Sequence, residues 1–286
     1  MANPLLGLAA AAARLLPNSV KRALYRLGPI SKGLRAALNQ AAPQGLTETK
    51  VAGGGLRGAK LRLDLQAEKD YWLGTYEVEL QQTLADFLEP GQTVYDCGAN
   101  IGYISLLAAR QVGAEGRVFA FEALPANRER LQANLALNTE GQVVEVVAKA
   151  VAAQSGSLDF LVHASGGMGK LAGSAGRDEN YSEHIEVEGL ALDDFAYQPG
   201  HPTPDLIKLD IEGGEGAALQ GMPRLLAEGR PRLLIELHGP DAAQSVWQQL
   251  SAAGYRLHRM EKGYPAVHSL DDLDWKAYLM AEAVDG

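Results

Sequence analysis

Two groups of residues in this chain have the types and spacing to do chemistry. The first is Val94 to Gly102, Val-Tyr-Asp-Cys-Gly-Ala-Asn-Ile-Gly, in which Asp96 precedes two glycines, Gly98 and Gly102. The second gathers Lys208, Asp210 and Glu212 at the end of one apolar run and Glu236 and His238 at the end of another, the residue types of proton transfer or cation binding. In the first group, a glycine turn between strand and helix sets backbone N–H groups and the positive end of a helix beside a ligand. The dinucleotide pattern Gly-x-Gly-x-x-Gly requires glycine where Asn100 stands. Asp96 would repel a pyrophosphate and attract an amino group or a sulfonium, so charge favours S-adenosylmethionine over NAD. Glu122 lies twenty residues beyond Gly102, where an acid can accept both ribose hydroxyls.

These groups need elements to hold them. Thr93 to Tyr95 reads as a short buried strand, and Ile101 to Arg110 has helical spacing. Arg117 to Phe121 is the next strand, Pro125 suits the first turn of a helix reaching Asn138, and Val143 to Val147 is a third strand. This alternation through residues 93–150 predicts a parallel sheet with helices on both faces. Asp205 to Ile211 and Arg232 to Leu237 are further strands, followed by a helix from Pro240 to Ala253 and a strand over Tyr255 to Met260. Upstream, Leu61 to Leu65 alternates like a strand edge, and Gly74 to Leu88 reads as one amphipathic helix beside the cofactor pocket, closed by Pro90-Gly91. Leu158 to Val162 and Ile185 to Leu190 read as additional strands. Between them Ala164 to Gly176, rich in glycine and serine, is a flexible loop, either a lid or a solvated connector. From His268 the tail adds an edge strand or a capping helix.

Hydrophobic content of 47% and charged content of 21% belong to a globular protein with a sizeable core, and the net charge of −9 argues against a general nucleic-acid binder. Residues 1–47 nonetheless hold six basic residues (Arg14, Lys21, Arg22, Arg26, Lys32, Arg35) and no acid. Leu15, Leu16, Val20, Leu24, Leu27 and Ile30 recur there at near-helical spacing, broken at Pro17 and Pro29. Basic amphipathic helices are expected, either packed as an arm on the acidic body or in peripheral contact with an anionic membrane. Leu5 to Ala13 is too short to span a membrane and lacks the basic start of a signal peptide. The single cysteine, Cys97, cannot form an intramolecular disulfide and points to a reducing, cytoplasmic compartment; it reads as a packing residue. The main boundary is expected near residue 60, between a basic arm with its linker (1–60) and the body (61–286).

The segments GTYE (74–77), YDCGANIGYISLLAA (95–109), GRVFAFE (116–122), LQANLALN (131–138), LDDF (192–195), IKLDIEGGE (207–215), LQGM (219–222) and RPRLLIELHG (230–239) together resemble the FkbM-type S-adenosylmethionine-dependent methyltransferases. The resemblance covers roughly residues 70–260. It implies the α/β class I methyltransferase fold, a Rossmann-like, mainly parallel seven-stranded sheet with one reversed strand and helices on both faces. It also implies methyl transfer to oxygen, typically a hydroxyl of a sugar, polyketide or similar small molecule. By the same resemblance Asp96, Gly98, Ala99, Asn100 and Gly102 hold the methionine part of the cofactor, Glu122 the ribose, the adenine lies near Ala150, and Ala123 is a further cofactor-binding position. Asp210 faces the reacting end. The family usually carries proline at Ala123 and an aliphatic residue at Cys97, departures that remove no polar contact.

Methyl transfer from a sulfonium is an in-line displacement, so alignment and exclusion of water supply most of the catalysis, and an alcohol acceptor must also lose its proton. His238 is the first candidate base: its ordinary pKa leaves it mostly neutral at physiological pH, and Glu236 or Asp210 could orient it. Asp210 and Glu212 are the alternatives. Lys208 shares a strand face with Asp210 and either pairs with an acid or contacts the acceptor. Asp210, Glu212, Glu236 and His238 could bind a divalent cation, but their spacing is not diagnostic and no metal is assigned. The rival readings are a nicotinamide-dependent oxidoreductase, which Asp96 and Asn100 disfavour, and a non-catalytic cofactor-binding or membrane-associated scaffold.

Overall fold

The computed structural model describes residues 7, 8, 11, 41–164, 168–174, 180–273 and 277–284. After residue 41 the chain forms an antiparallel hairpin of β1 (Leu46–Lys50) and β2 (Lys60–Asp64). Alternation in β2 turns Leu61 and Leu63 into the core, where Leu56 from the connecting turn joins them. Next come α1 (Lys69–Leu73) and α2 (Val78–Phe87). The single helix expected over 74–88 is thus shorter at its start. Gly74 closes α1 at φ 72, and Glu77 sits in the left-handed region at φ 42 before α2 begins.

Strand and helix then alternate through β3 (Thr93–Cys97), α3 (Tyr103–Val112), β4 (Arg117–Phe121), α4 (Pro125–Ala136) and β5 (Val144–Val147). A second sheet follows, with β6 (Ala150–Val151), β7 (Gly156–His163), β8 (Gly169–Leu171) and β9 (Tyr181–Leu190) in the order β6-β9-β7-β8. The loop expected over 164–176 therefore contains a short strand, because residues 169–171 find partners along β7. From α5 (Leu192–Ala196) the chain returns through β10 (Leu206–Leu209), α6 (Glu215–Gln220), β11 (Arg232–Glu236), α7 (Pro240–Ala252) and β12 (Tyr255–Arg259) to β13 (Tyr278–Ala283).

The main sheet has seven strands in the order β12-β13-β11-β10-β3-β4-β5. Neighbours from β11 to β5 pair in parallel, and β13 runs antiparallel to β11 and β12 alike. This is the class I methyltransferase fold, with its one reversed strand. The tail supplies that strand, and it lies between two others rather than at an edge. Successive side chains of the central strands serve opposite faces. Val94, Val118, Ala120 and Leu206 pack with the hairpin, α2 and α3, while Tyr95, Cys97, Phe119, Phe121, Ile207 and Leu209 pack with α5, α6 and α7. Both faces are covered, so these strands read as continuous apolar runs. Strand order reverses between β3 and β10, and ligands of such sheets bind at the carboxyl edge beside that reversal.

The boundary expected near residue 60 falls inside the β1–β2 hairpin. Ala42, Val51 and Leu56 belong to the same core as the body. The basic helices expected over 15–30 lie outside the described residues. Among those described, no helix is long and apolar enough to cross a membrane.

Candidate active site

Gly98 turns the chain out of β3 at φ 81, and a Cβ there would lie 1.9 Å from the carbonyl oxygen of Asp210. Only glycine lets this loop rest against the end of β10. Asn100 and Gly102 continue the turn with φ of 49 and 86. The amides expected to be free for a ligand are taken. Gly98 N and Ala99 N both donate to Phe121 O at 3.0 Å, Gly102 N donates to Ala99 O at 2.9 Å, and Asn100 N donates to Glu122 Oε2 at 2.8 Å. The parallel neighbour β4 ends level with the loop and supplies these acceptors. These four amides offer no cradle to a pyrophosphate.

Glu122 is buried, and its Oε1 accepts Leu124 N at 2.8 Å. Burial pushes its carboxyl up, while the bonds from Leu124 and Asn100 pull it down. Glu122 thus braces the loop against β4. Just beyond it Ala123, Leu124, Ala150 and Phe160 form a small apolar cluster, which brings Ala123 and Ala150 together where the two sheets meet.

Asp96, expected to attract a cationic group of the ligand, is met in the structure by a cation of the chain itself. It is fully buried, Lys208 Nζ lies 3.2 Å from its Oδ1, and Ser105 Oγ donates to its Oδ2 at 2.6 Å. Parallel register sets Lys208 opposite Asp96, which is the reason for the pairing. The same ammonium lies 3.4 Å from Asp210 Oδ2 and donates to Gly98 O at 2.8 Å. Burial pulls the lysine pKa down, but Asp96 and Asp210 outweigh it and hold the pKa well above the usual range. Lys208 is 4% exposed and is committed to these partners rather than to an acceptor.

His238 stands between the end of β11 and Gly239, which precedes α7. Its Nδ1 lies 2.9 Å from Glu215 Oε1, and its Nε2 lies 3.7 Å from Asp210 Oδ1, 3.7 Å from Glu212 Oε2 and 3.8 Å from Glu236 Oε1. Burial pushes the imidazole pKa down, but the Glu215 hydrogen bond and charge, with Asp210 and Glu212, outweigh this and raise it to about 9. The expectation of a mostly neutral imidazole is corrected, because the surrounding carboxylates stabilise its proton. Burial pushes the Glu212 carboxyl up, His238 opposing and Asp210 adding to the rise.

Two residues of this site escaped sequence reasoning. Glu215 is fully buried, and its Oε1 also accepts Gly213 N at 3.1 Å and Ile211 N at 3.3 Å. Its signal was its position in the first turn of a helix that follows a double glycine. Glu77 lies beside Tyr71 and Tyr76, whose rings are 4.2 Å apart, and burial followed by Asp210 pushes its carboxyl up to about 8. Its place in GTYE was the only trace. Carboxyl groups from five positions (77, 210, 212, 215 and 236) thus gather at the carboxyl edge. Their natural complement is a cation, so the residues present fit a sulfonium or ammonium group.

A profile of the FkbM methyltransferase domain matches residues 96–257, more than half of the chain. The chain belongs to the FkbM methyltransferase family. Among curated relatives, the 2-O-methyltransferase NoeI of Sinorhizobium fredii is 28% identical over 171 residues, covering 54% of this chain and 68% of that one. The hexuronic acid methyltransferase AglP of Haloferax volcanii is 23% identical over 177 residues, covering 62% and 69%. The crystal structure of methyltransferase FkbM from Methylobacillus flagellatus KT is 19% identical with a TM-score of 0.43, covering 76% of this chain and 53% of that one. The chain thus spans about half the length of that protein. In this FkbM methyltransferase every site residue except Glu77 lies inside the matched span.

Proposed function

We propose that this FkbM methyltransferase transfers the methyl group of S-adenosylmethionine to a hydroxyl oxygen of a sugar-type small molecule. One observation carries the reading: the Gly98 loop and the Asp210 carbonyl meet, backbone against backbone, at the reversal between β3 and β10. When bound, the cofactor supplies an electrophilic methyl on a sulfonium. Gly98, Ala99, Asn100 and Gly102 would line its methionine part, with Asp96 acting through Lys208 to hold the loop. Glu122 would hold the ribose, and Ala123 and Ala150 would border the adenine. The acceptor's hydroxyl proton passes to the group formed by Asp210, Glu212 and His238, whose atoms converge within 3.7 Å of His238 Nε2. The names of the two curated relatives, one an O-methyltransferase and one acting on a hexuronic acid, support a carbohydrate hydroxyl. Dense negative charge at the site means that an acceptor presents its hydroxyl and keeps any carboxylate of its own away.

Calorimetric titration with S-adenosylmethionine and S-adenosylhomocysteine, combined with radiolabel transfer to a panel of sugars, tests this. Gly98→Ala should weaken S-adenosylhomocysteine at least tenfold by forcing the loop off β10. His238→Ala should retain that affinity and lose about 10²- to 10⁴-fold in kcat. Binding of NAD in place of the adenosyl ligands, or full turnover by His238→Ala, would refute the proposal.

A further inference from the structure

We infer that Asp210, Glu236 and His238 form a divalent-cation site, with Glu212 as a further donor. It occupies the acceptor end of the centre proposed for methyl transfer and rests on that reading only for what the ion does there. One donor atom from each of Asp210, Glu236 and His238 lies within 4.8 Å of the others, and the Glu212 oxygen joins them from the loop after β10. The separations from His238 Nε2, 3.7 to 3.8 Å, are too long for hydrogen bonds. They suit atoms sharing an ion: two donors each about 2.2 Å from a metal lie roughly 3.1 to 3.6 Å apart at octahedral or tetrahedral angles. Small side-chain movements close the difference.

The surroundings are those of a metal-binding imidazole. Such a ring donates its other N–H to a carboxylate, which fixes tautomer and orientation. His238 Nδ1 donates in this way to Glu215, which is itself fixed by the amides of Gly213 and Ile211. With the Nδ1 proton directed at Glu215, Nε2 faces three carboxylate oxygens, and an ion bound among them would take the place of the Nε2 proton. Asp210 divides its two oxygens accordingly, Oδ2 toward Lys208 and Oδ1 toward the cluster. A second observation points the same way. Glu215, fully buried and directed at His238, leaves Oε2 without a hydrogen bond, and Glu77, whose charge acts on Asp210 and Glu236, leaves its buried Oε2 without one too. Unsatisfied carboxylate oxygens are costly at such depth unless a cation offsets them. Lys208 is already shared with Asp96 and cannot supply that charge. Three carboxylates with one imidazole suit Mn²⁺ or Mg²⁺. A Lewis acid there would make the acceptor hydroxyl easier to deprotonate.

The test uses the full chain, freed of metal with a chelator and titrated with Mn²⁺ by calorimetry and electron paramagnetic resonance. One bound ion per chain is expected, with affinity at least tenfold weaker in Glu236→Gln and His238→Gln. Glu212→Gln, a partly exposed position whose loss spares the core, should weaken it less. Circular dichroism and S-adenosylhomocysteine binding confirm that each variant is folded. A resonance signal that stays that of aqueous Mn²⁺ up to about millimolar protein, or equal affinity in wild type and both variants, overturns the inference. Methyl transfer without any bound Mn²⁺ would leave the proposed function standing and remove the site. Bound Mn²⁺ without transfer to any sugar would do the reverse.

Discussion

At the scale of single residues, Lys208 does the most with one charge. It is shared between Asp96 and Asp210 in a buried site and holds the Gly98 carbonyl, so the Gly98 loop and the end of β10 depend on the same ammonium. Lys208→Met keeps most of the volume but strands two carboxylates. Removing one partner of a buried ion pair costs about 3–5 kcal/mol, which should appear as a lower urea midpoint together with lost S-adenosylhomocysteine binding. Asp96→Asn in the same chain should recover part of the stability, since it deletes one of the stranded charges. Cys97 offers a second readout. It is fully buried, and burial followed by the neighbouring Asp96 pushes its thiol well up, so iodoacetamide at about pH 8 should label it only when the site opens. Labelling should speed up in Lys208→Met, and an unchanged midpoint with unchanged labelling would refute this role. The sequence placed Lys208 and Asp210 on one strand face but gave no sign that Asp96 faces them. The pairing depends on the register between β3 and β10, strands more than a hundred residues apart, and register between distant strands leaves no local mark.

At the scale of elements, what could be read from sequence follows burial. The central strands are covered on both faces, so their apolar runs and the turns that end them were plain, as was the proline that opens α4. The left-handed turn before α2 was hidden, because Glu77 adopts there a backbone that its residue type does not announce. Apolar side chains seat the hairpin in the core, and a polar contact adds to them. Asn134, fully buried on α4, accepts Arg62 N from β2 at 2.8 Å and donates to Ile101 O in the cofactor loop at 2.9 Å. One amide therefore joins hairpin, helix and loop. Asn134→Leu fills the space but orphans a donor and an acceptor, each costing about 1–3 kcal/mol. The expected result is a lower denaturation midpoint with faster hydrogen exchange at the Arg62 amide. Normal protection at Arg62 would show that the hairpin is held by its apolar contacts alone.

For the molecule as a whole, the question is whether the last strand is an appendage or part of the frame. The sequence left the tail as an edge strand or a cap because strand order, unlike strand propensity, is set by which partners the rest of the fold leaves open. In the structure β13 pairs with β11 through Leu233 to Glu236 and with β12 through Tyr255 to Arg259. Leu279 and Ala281 are fully buried among residues of α7, β10 and β11. Tyr278 lies opposite Glu236, so the strand also steadies the residue that leads to His238. Ending the chain at residue 272 would remove one apolar layer and expose the ladder edges of β11 and β12, which invite pairing with other chains. The truncated protein should therefore accumulate as aggregate rather than as a trimmed, folded body. Within the full chain, Leu279→Ala should cost about 2–5 kcal/mol for its cavity and lower the thermal midpoint without changing the pattern of cofactor contacts. A soluble, cooperatively unfolding 1–272 fragment that still binds S-adenosylhomocysteine would show instead that β11 can end the sheet, and that β13 serves only to set Glu236 and His238.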